Sequence, residues 1–232
     1  MSTHYILQLE TATQVCSAAL SANGETIACI DVDEPNIHAS RLTLLVEELL
    51  KKAGFAFNDL AAVAVSKGPG SYTGLRIGVS TAKGLCYATD LPLIGIDTLA
   101  GMAAGFAVDH PSGASTTFHP MIDARRMEVF TAVFNHRVEQ VAPSQAAIID
   151  AQSFDDLDVG QQAVLFGSGA DKLVGLFDGN KQVSVIAEFK NSARHLSPLA
   201  YRALQAGTFD DLAYFEPYYL KDFVATTPKR RP

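Results

Sequence analysis

Gly68-Pro69-Gly70-Ser71-Tyr72-Thr73-Gly74-Leu75-Arg76-Ile77-Gly78 joins an apolar run, Leu60 to Val65, to a helix-patterned run, Thr73 to Ala88. Gly68 and Gly70 suit a sharp strand-to-helix turn, because glycine reaches positive φ without a steric penalty. Ser71 or Thr73 is placed to cap the first helical turn. Beyond the turn, Gly74, Gly78 and Ala82 recur every fourth residue, with Gly84 close by. A glycine inside a helix costs about 0.8–1.0 kcal/mol relative to alanine, so a series of them requires a reason. Close approach of another backbone is the usual one.

With side chains about 100° apart around the axis, Leu75, Val79, Ala82 and Cys86 form one face. Ile77, Gly84, Thr81, Ala88 and Gly74 lie on the far side, with Gly78 and Leu85 between. Only the sector of Arg76, Ser80, Lys83 and Tyr87 suits water. A helix apolar over most of its circumference is covered on two sides. Its own sheet covers one. Another element of this chain or a partner subunit covers the other, and the pattern decides neither. The preceding helix, Ala39 to Ala53, carries an ordinary core stripe of Leu42, Leu45, Val46, Leu49, Leu50 and Ala53. Leu44 points the opposite way with Ser40, Glu47 and Lys51. A single exposed leucine is ordinary on its own; beside a glycine-lined helix it also suits the rim of a contact surface.

Working outward, Tyr5 to Leu9, Val15 to Leu20 and Thr26 to Val32 read as strands, and Asn23-Gly24 as a hairpin turn. A strand Leu93 to Ile96 and a helix Thr98 to Val108 complete the order β-β-β-α-β-α-β-α. The loop Asp109 to Ser115, with Pro111 and Gly113, reads as a boundary. A thinner copy follows: strands Thr117 to Ile122 and Glu128 to Phe134, a strand Ala163 to Phe166, Gly167-Ser168-Gly169 and a helix from Ala170. A strand Val183 to Ile186, a helix Ser197 to Ala206 and an aromatic tail, Phe215 to Phe223, that packs down, close the chain. Two β-β-β-α-β-α units in tandem predict an α/β protein of the duplicated actin-like, sugar-kinase (ribonuclease H-like) architecture, its second copy degenerate. The expected domains are 1–108, carrying the two long helices, and 109–232.

The 232 residues suffice for one good core or two small ones. Lys and Arg number six against ten Asp and Glu in residues 1–105, and twelve against fifteen thereafter. Neither half is therefore a basic footprint for nucleic acid. The basic cluster Lys229-Arg230-Arg231 reads as a solvated tail. Cys16, Cys29 and Cys86 are odd in number, widely spaced and set in apolar runs, which predicts buried reduced thiols in a cytosolic protein. Without a signal pattern or a run of 18 apolar residues, no membrane segment is expected.

Catalytic motifs are scarce. The six histidines, at 4, 38, 110, 119, 136 and 195, include no pair three or four apart, so no metal site is expected. Gly70-Ser71-Tyr72 lacks the nucleophile-elbow form. No segment has the Gly-x4-Gly-Lys-Ser/Thr form, and a dinucleotide fingerprint would need glycine where Thr73 stands.

Several segments together resemble the TsaB (YeaZ) family: Leu9-Glu10-Thr11-Ala12-Thr13, His38-Ala39-Ser40-Arg41-Leu42, Gly68 to Gly78, Asp123 to Phe130 and Pro217-Tyr218-Tyr219-Leu220. The resemblance runs from the first strand to about residue 223. It implies the duplicated actin-like fold and a role in bacterial synthesis of threonylcarbamoyladenosine, at the tRNA adenosine following the anticodon. It implies a non-catalytic subunit that binds the catalytic paralogue TsaD, a TsaE ATPase joining the assembly, and homodimer formation when TsaD is absent. Docking through the two N-terminal helices would then involve His38, Ser40, Arg41, Leu44, Gly74, Leu75, Gly78, Val79, Ala82, Leu85 and Cys86. Arg125, Arg126 and the basic tail are at most marginal tRNA contacts. Actin-like nucleotide-binding proteins place an acid and a glycine in the first β-turn. Glu10, Thr11 and Thr13 keep the acid and hydroxyls but no glycine, and Asp123 opens a second turn equally without one. Gly167 and Gly169 precede the expected helix, where backbone amides can meet an anion. These positions read as remnants with weak ATP or ADP binding, alone or at a subunit junction, and no required cofactor. The alternative is a stand-alone ATP-dependent phosphotransferase or hydrolase of the same fold.

Overall fold

The computed structural model describes residues 2–221. Five strands, β1 (Tyr5–Glu10), β2 (Val15–Ala22), β3 (Glu25–Asp33), β4 (Leu60–Gly68) and β5 (Leu93–Asp97), form one sheet in the order β3-β2-β1-β4-β5. Asn23 and Gly24, at φ 51° and 88°, make the left-handed turn between β2 and β3. Helices α1 (His38–Ala53) and α2 (Tyr72–Thr89) lie side by side on one face of this sheet. The α1 stripe of Leu42, Leu45, Val46, Leu49 and Leu50 meets Leu7, Leu9, Val63 and Val65 in one core. Gly54 closes α1 in the left-handed region, its amide donating to the Leu50 and Lys51 carbonyls.

After α3 (Thr98–Asp109), the second sheet repeats the first. It contains β6 (Thr116–Asp123), β7 (Glu128–Asn135), β8 (Gln140–Ile148), β9 (Gln162–Phe166) and β10 (Val183–Ile186), ordered β10-β9-β6-β7-β8. Read from the other edge, this is the order of the first sheet with every strand replaced by its counterpart. The duplicated actin-like architecture is therefore present in full at the level of strands. Its helices are not. The expected helix from Ala170 is a single 3-10 turn, Asp171–Leu173, because Gly175 and Gly179, both at φ 85°, interrupt it. β8 escaped the sequence reading: it is an edge strand carrying Pro143 and little alternation.

The terminal helices are exchanged between the halves. α3 follows the first sheet but packs Leu99, Met102, Ala103 and Phe106 against Phe118, Ile122, Phe134 and Phe166 of the second. α4 (Ser197–Ala206) follows the second sheet but, with Leu196, covers Ile6, Ala62, Ala64, Ile94 and Ile96 of the first. The cut at residue 108 thus separates the strands of the two halves and not their packing. After α4 the chain returns to the first sheet. The Asp210 carboxylate accepts from the Gly95 amide at 2.7 Å, Phe215 lies over Gly95, and the Tyr218 amide donates to the Lys67 carbonyl at 2.7 Å. The last basic cluster and Phe223 lie outside the described residues.

Candidate functional site

The glycine segment wraps around the β1–β2 turn of its own chain. Ser71 is the cap, its hydroxyl accepting from the Gly74 amide at 3.3 Å, and the Ser71 amide donates to the Ala12 carbonyl at 2.7 Å. Gly68 (φ 125°) donates its amide to the Thr98 hydroxyl at 3.1 Å, and the Gly68-Pro69 peptide is cis. A methyl group on Gly74 would fall closer than 3.0 Å to the Thr11 carbonyl oxygen, and one on Gly78 equally close to the Thr11 hydroxyl. Here lies the close approach that the glycines permit: helix α2 seated on the turn after β1.

This corrects the expected docking set. Gly74, Leu75, Gly78, Val79, Ala82 and Cys86 are buried within the chain, where Val79, Ala82 and Cys86 join the core beneath α1 and α2. His38 is buried too, its Nε2 donating to the Val15 carbonyl at 3.3 Å. These seven hold the helices to the sheet and present nothing outward. Ser40, Arg41 and Leu44 are exposed, Leu44 to 50%, and Leu85 is half-buried. The opposite side of α2 is only partly covered among the described residues. Ile77 and Thr81 are half-buried, Ser80, Gly84 and Ala88 are exposed, and no atom lies within 4 Å of a methyl group placed on Gly84. The pattern had put Ile77, Gly84 and Ala88 on the side needing a second cover; the glycines that face outward and inward were not separable by spacing alone.

The first phosphate-type turn is closed. Glu10 is fully buried, its Oε1 accepting from the Ala12 amide at 2.6 Å and from the Ser66 hydroxyl at 2.9 Å. Burial pushes its carboxyl up to about 7, against the pull of the Ala12 amide, the Ser66 hydroxyl and the nearby Asn191 side chain. Thr11 is buried beneath Gly78, and Thr13 is half-buried. In the second turn Asp123 is ion-paired to Lys172 at 2.6 Å, and the Lys172 ammonium also donates to the Arg126 and Glu128 carbonyls at 2.7 and 2.6 Å. A lysine thus fills this turn from within the chain. Gly167 (φ 101°) backs onto the Met121 carbonyl, and the Gly169 amide already donates to that carbonyl at 3.0 Å. The expected helical amides are absent here, which corrects the reading of Gly167 and Gly169 as an anion-facing helix start.

No cluster of three or more His, Cys, Asp or Glu that could hold a metal ion occurs among the described residues. His119 and His195 are buried, which drives both imidazoles down to about 4, with the Arg194 charge adding to the effect at His195. Cys16 and Cys86 are free thiols raised to about 11 by burial, the form of inert core sulfur, whereas Cys29 is only half-buried. The aromatic tail packs down as expected over its described part, a C-terminal strap, and its partners on α2 are what the sequence did not indicate. Arg76 lies 4.2 Å over the Tyr72 ring and donates through Nε to the Tyr219 hydroxyl at 3.2 Å. The Lys83 ammonium donates to the Phe215 carbonyl at 3.0 Å. No helix among the described residues is long and apolar enough to cross a membrane.

Comparison with known proteins agrees with this architecture. Residues 35–227 match the family described as TsaD: tRNA N6-adenosine threonylcarbamoyltransferase. The chain is 30% identical to the tRNA threonylcarbamoyladenosine biosynthesis protein TsaB of Escherichia coli, over 95% of this chain and 96% of that one. It is 41% identical to the tRNA N6-adenosine threonylcarbamoyltransferase of Halalkalibacterium halodurans, but over 41% of this chain and 33% of the transferase. A solved Pseudomonas aeruginosa protein, described by its similarity to the peptidase YeaZ, superposes with a TM-score of 0.77 at 27% identity, over 95% of this chain and all of that one.

Proposed function

The chain belongs to the TsaB (YeaZ) family, and on that footing we propose that it is a non-catalytic subunit pairing with a TsaD-type transferase to form threonylcarbamoyladenosine on tRNA. The observation that carries the pairing is the exposed outer side of α2 at Gly84 and Ala88, on a helix in contact with α1, where Leu44 is exposed as well. Two helices lying together on one sheet face offer their outward sides as one surface, and a glycine without a neighbour lets a foreign helix come close. A transferase sharing this fold would present equivalent helices, and a second copy of this chain would do so when the transferase is absent. A TsaE-type ATPase completes the proposed assembly, in the cytoplasm. The closed Glu10 turn and the lysine-filled Asp123 turn favour a supporting subunit over a stand-alone phosphotransferase or hydrolase.

Replacing Gly84 with tryptophan tests this. Gly84 is exposed and no atom lies within 4 Å of a Cβ placed there, so the melting temperature should hold while co-elution with a TsaD-type subunit is lost. Unchanged co-elution removes α2 from the interface. Mg²⁺-dependent ATP turnover by the purified chain alone, abolished by Glu10→Gln, would establish the enzymatic alternative instead.

A further inference from the structure

The β6–β7 turn, Asp123-Ala124-Arg125-Arg126-Met127-Glu128, places two consecutive arginines in the left-handed region, Arg125 at φ 75° and Arg126 at φ 54°. That conformation is unfavourable for a residue bearing a Cβ, and here it is held by neighbours. Lys172 clamps Asp123 together with the Arg126 and Glu128 carbonyls, and Lys221 pairs with Glu128. Both carboxylates of the turn are therefore neutralised by lysines. Arg125 and Arg126 are exposed, and neither side chain has a hydrogen bond or ion pair within the described residues. In a chain of formal net charge −7, this corner is locally cationic.

The strap extends the corner. Tyr219 holds Arg76, Lys221 holds Glu128, and two residues of chain span at most about 7 Å. The strap thus runs from the Tyr72–Arg76–Tyr219 cluster, whose rings lie 4.8 Å apart and tilted by 33°, to the acid that follows the arginine pair. A shallow groove of about 260 Å³ beside the stack is lined by Arg76, Lys83 and Tyr219, with Glu216 as its acid. Cations interleaved with aromatic rings suit a sugar-phosphate backbone with an adjacent unstacked base. An acidic protein surface would use the charges and leave the stacked rings without a role.

We propose that the Arg125-Arg126 turn and the Tyr72–Arg76–Tyr219 stack form an RNA-contacting surface, through which this subunit holds tRNA phosphates in the assembly. The proposal rests on the tRNA-modifying role inferred above and adds to it a direct contact by this chain.

The variant R125G/R126G removes both charges while glycine keeps the left-handed turn, so its thermal unfolding should match the parent chain. Each chain is assembled with a TsaD-type subunit, and fluorescently labelled tRNA is titrated at several salt concentrations. Each lost phosphate contact lowers the slope of log affinity against log salt by about 0.7–0.9. The double variant should therefore flatten the slope by roughly 1.4–1.8 and weaken binding about tenfold at low salt. Arg76→Gln should act in the same direction by about threefold, with an unaltered turn. Unchanged affinity and slope in an intact complex overturn the proposal. So does loss of co-elution with the partner at unchanged tRNA affinity, which would make the surface a protein contact. If the parent chain fails to pair at all, the proposed function falls. The same titration on the chain alone then decides the RNA contact, by the presence or absence of the slope change.

Discussion

Alanine placed at Gly74 and at Gly84 should move stability in opposite directions. In both, the helix gains the difference in intrinsic propensity, about 0.8–1.0 kcal/mol. At Gly84 no atom lies within 4 Å of the added methyl, so the gain stands. For a protein of this size it raises the melting temperature by about 2–4 °C. At Gly74 the methyl would press closer than 3.0 Å on the Thr11 carbonyl oxygen. A backbone atom cannot rotate away, and the turn is also tied to α2 by the Ser71 amide on the Ala12 carbonyl. Overpacking of this kind costs about 1–3 kcal/mol and sometimes more, and the rigid partner places Gly74 at the upper end. After the propensity gain, a net loss of about 2 kcal/mol remains, or about 4–8 °C. Differential scanning calorimetry on the two variants reads both numbers. A Gly74→Ala chain melting at or above the parent would refute the account of the glycine series as an internal seat for the β1–β2 turn. The same reasoning expects bulk at Gly78 to unfold the protein rather than to block pairing selectively.

Glu10 gives a pH prediction. Its carboxyl is raised by burial from 4.5 to about 7, so the folded state holds the proton more tightly than the unfolded one. The stability this lends is complete below pH 4.5 and is lost as pH rises through 7, by about 3 kcal/mol. Urea denaturation at pH 5 and pH 8 should show Glu10→Gln gaining on the parent by that order, and a constant gap would contradict it. His119 and His195 work with the opposite sign. Both are lowered from 6.5 to about 4, so their contribution is whole above pH 6.5 and falls away toward pH 4; His119→Phe should flatten the acid limb of the stability profile. Leu44→Asp should leave the melt within about 0.5 kcal/mol of the parent and weaken pairing with a TsaD-type subunit in size-exclusion titration; equal pairing would remove α1 from the contact. Asp210→Ala frees the Gly95 amide and should make the strap accessible to limited proteolysis ahead of the sheets, whereas an unchanged digestion pattern would show that Phe215 and the Lys67, Lys83 and Arg76 contacts retain it without Asp210.

The first half was legible in the sequence because its signals are redundant. Asn23-Gly24 sets the hairpin, the Leu42 to Leu50 stripe sets α1, and Gly68 with Ser71 sets the turn into α2. The second half was legible in its apolar strands, Phe118 to Ile122 and Ala163 to Phe166, and not in β8, whose Pro143 and short side chains carry no alternation. At the candidate site, residue type was read correctly and direction was not. A small residue at every fourth position says that something comes close, and the Thr11 turn, more than sixty positions upstream of Gly74, is what comes close. Spacing along a helix holds no information about a contact so distant in sequence. Lys172 and the Tyr219 strap escaped for the same reason: Lys172 meets Asp123 and Glu128 only once the second half has folded, and Tyr219 meets Arg76 only once the chain has returned to the first.

The crossed placement of α3 and α4 has a consequence for synthesis at the ribosome. One face of the first sheet, Ile6, Ala62, Ala64, Ile94 and Ile96, waits for Leu196 and Ala200 to close it. Nearly the whole polypeptide must therefore emerge before the earliest strands to appear are sealed. During that interval a greasy, half-finished layer is on offer to chaperones and to neighbouring nascent chains. Stop codons anywhere ahead of α4 should accordingly yield insoluble product, even when every strand of the first sheet has been made.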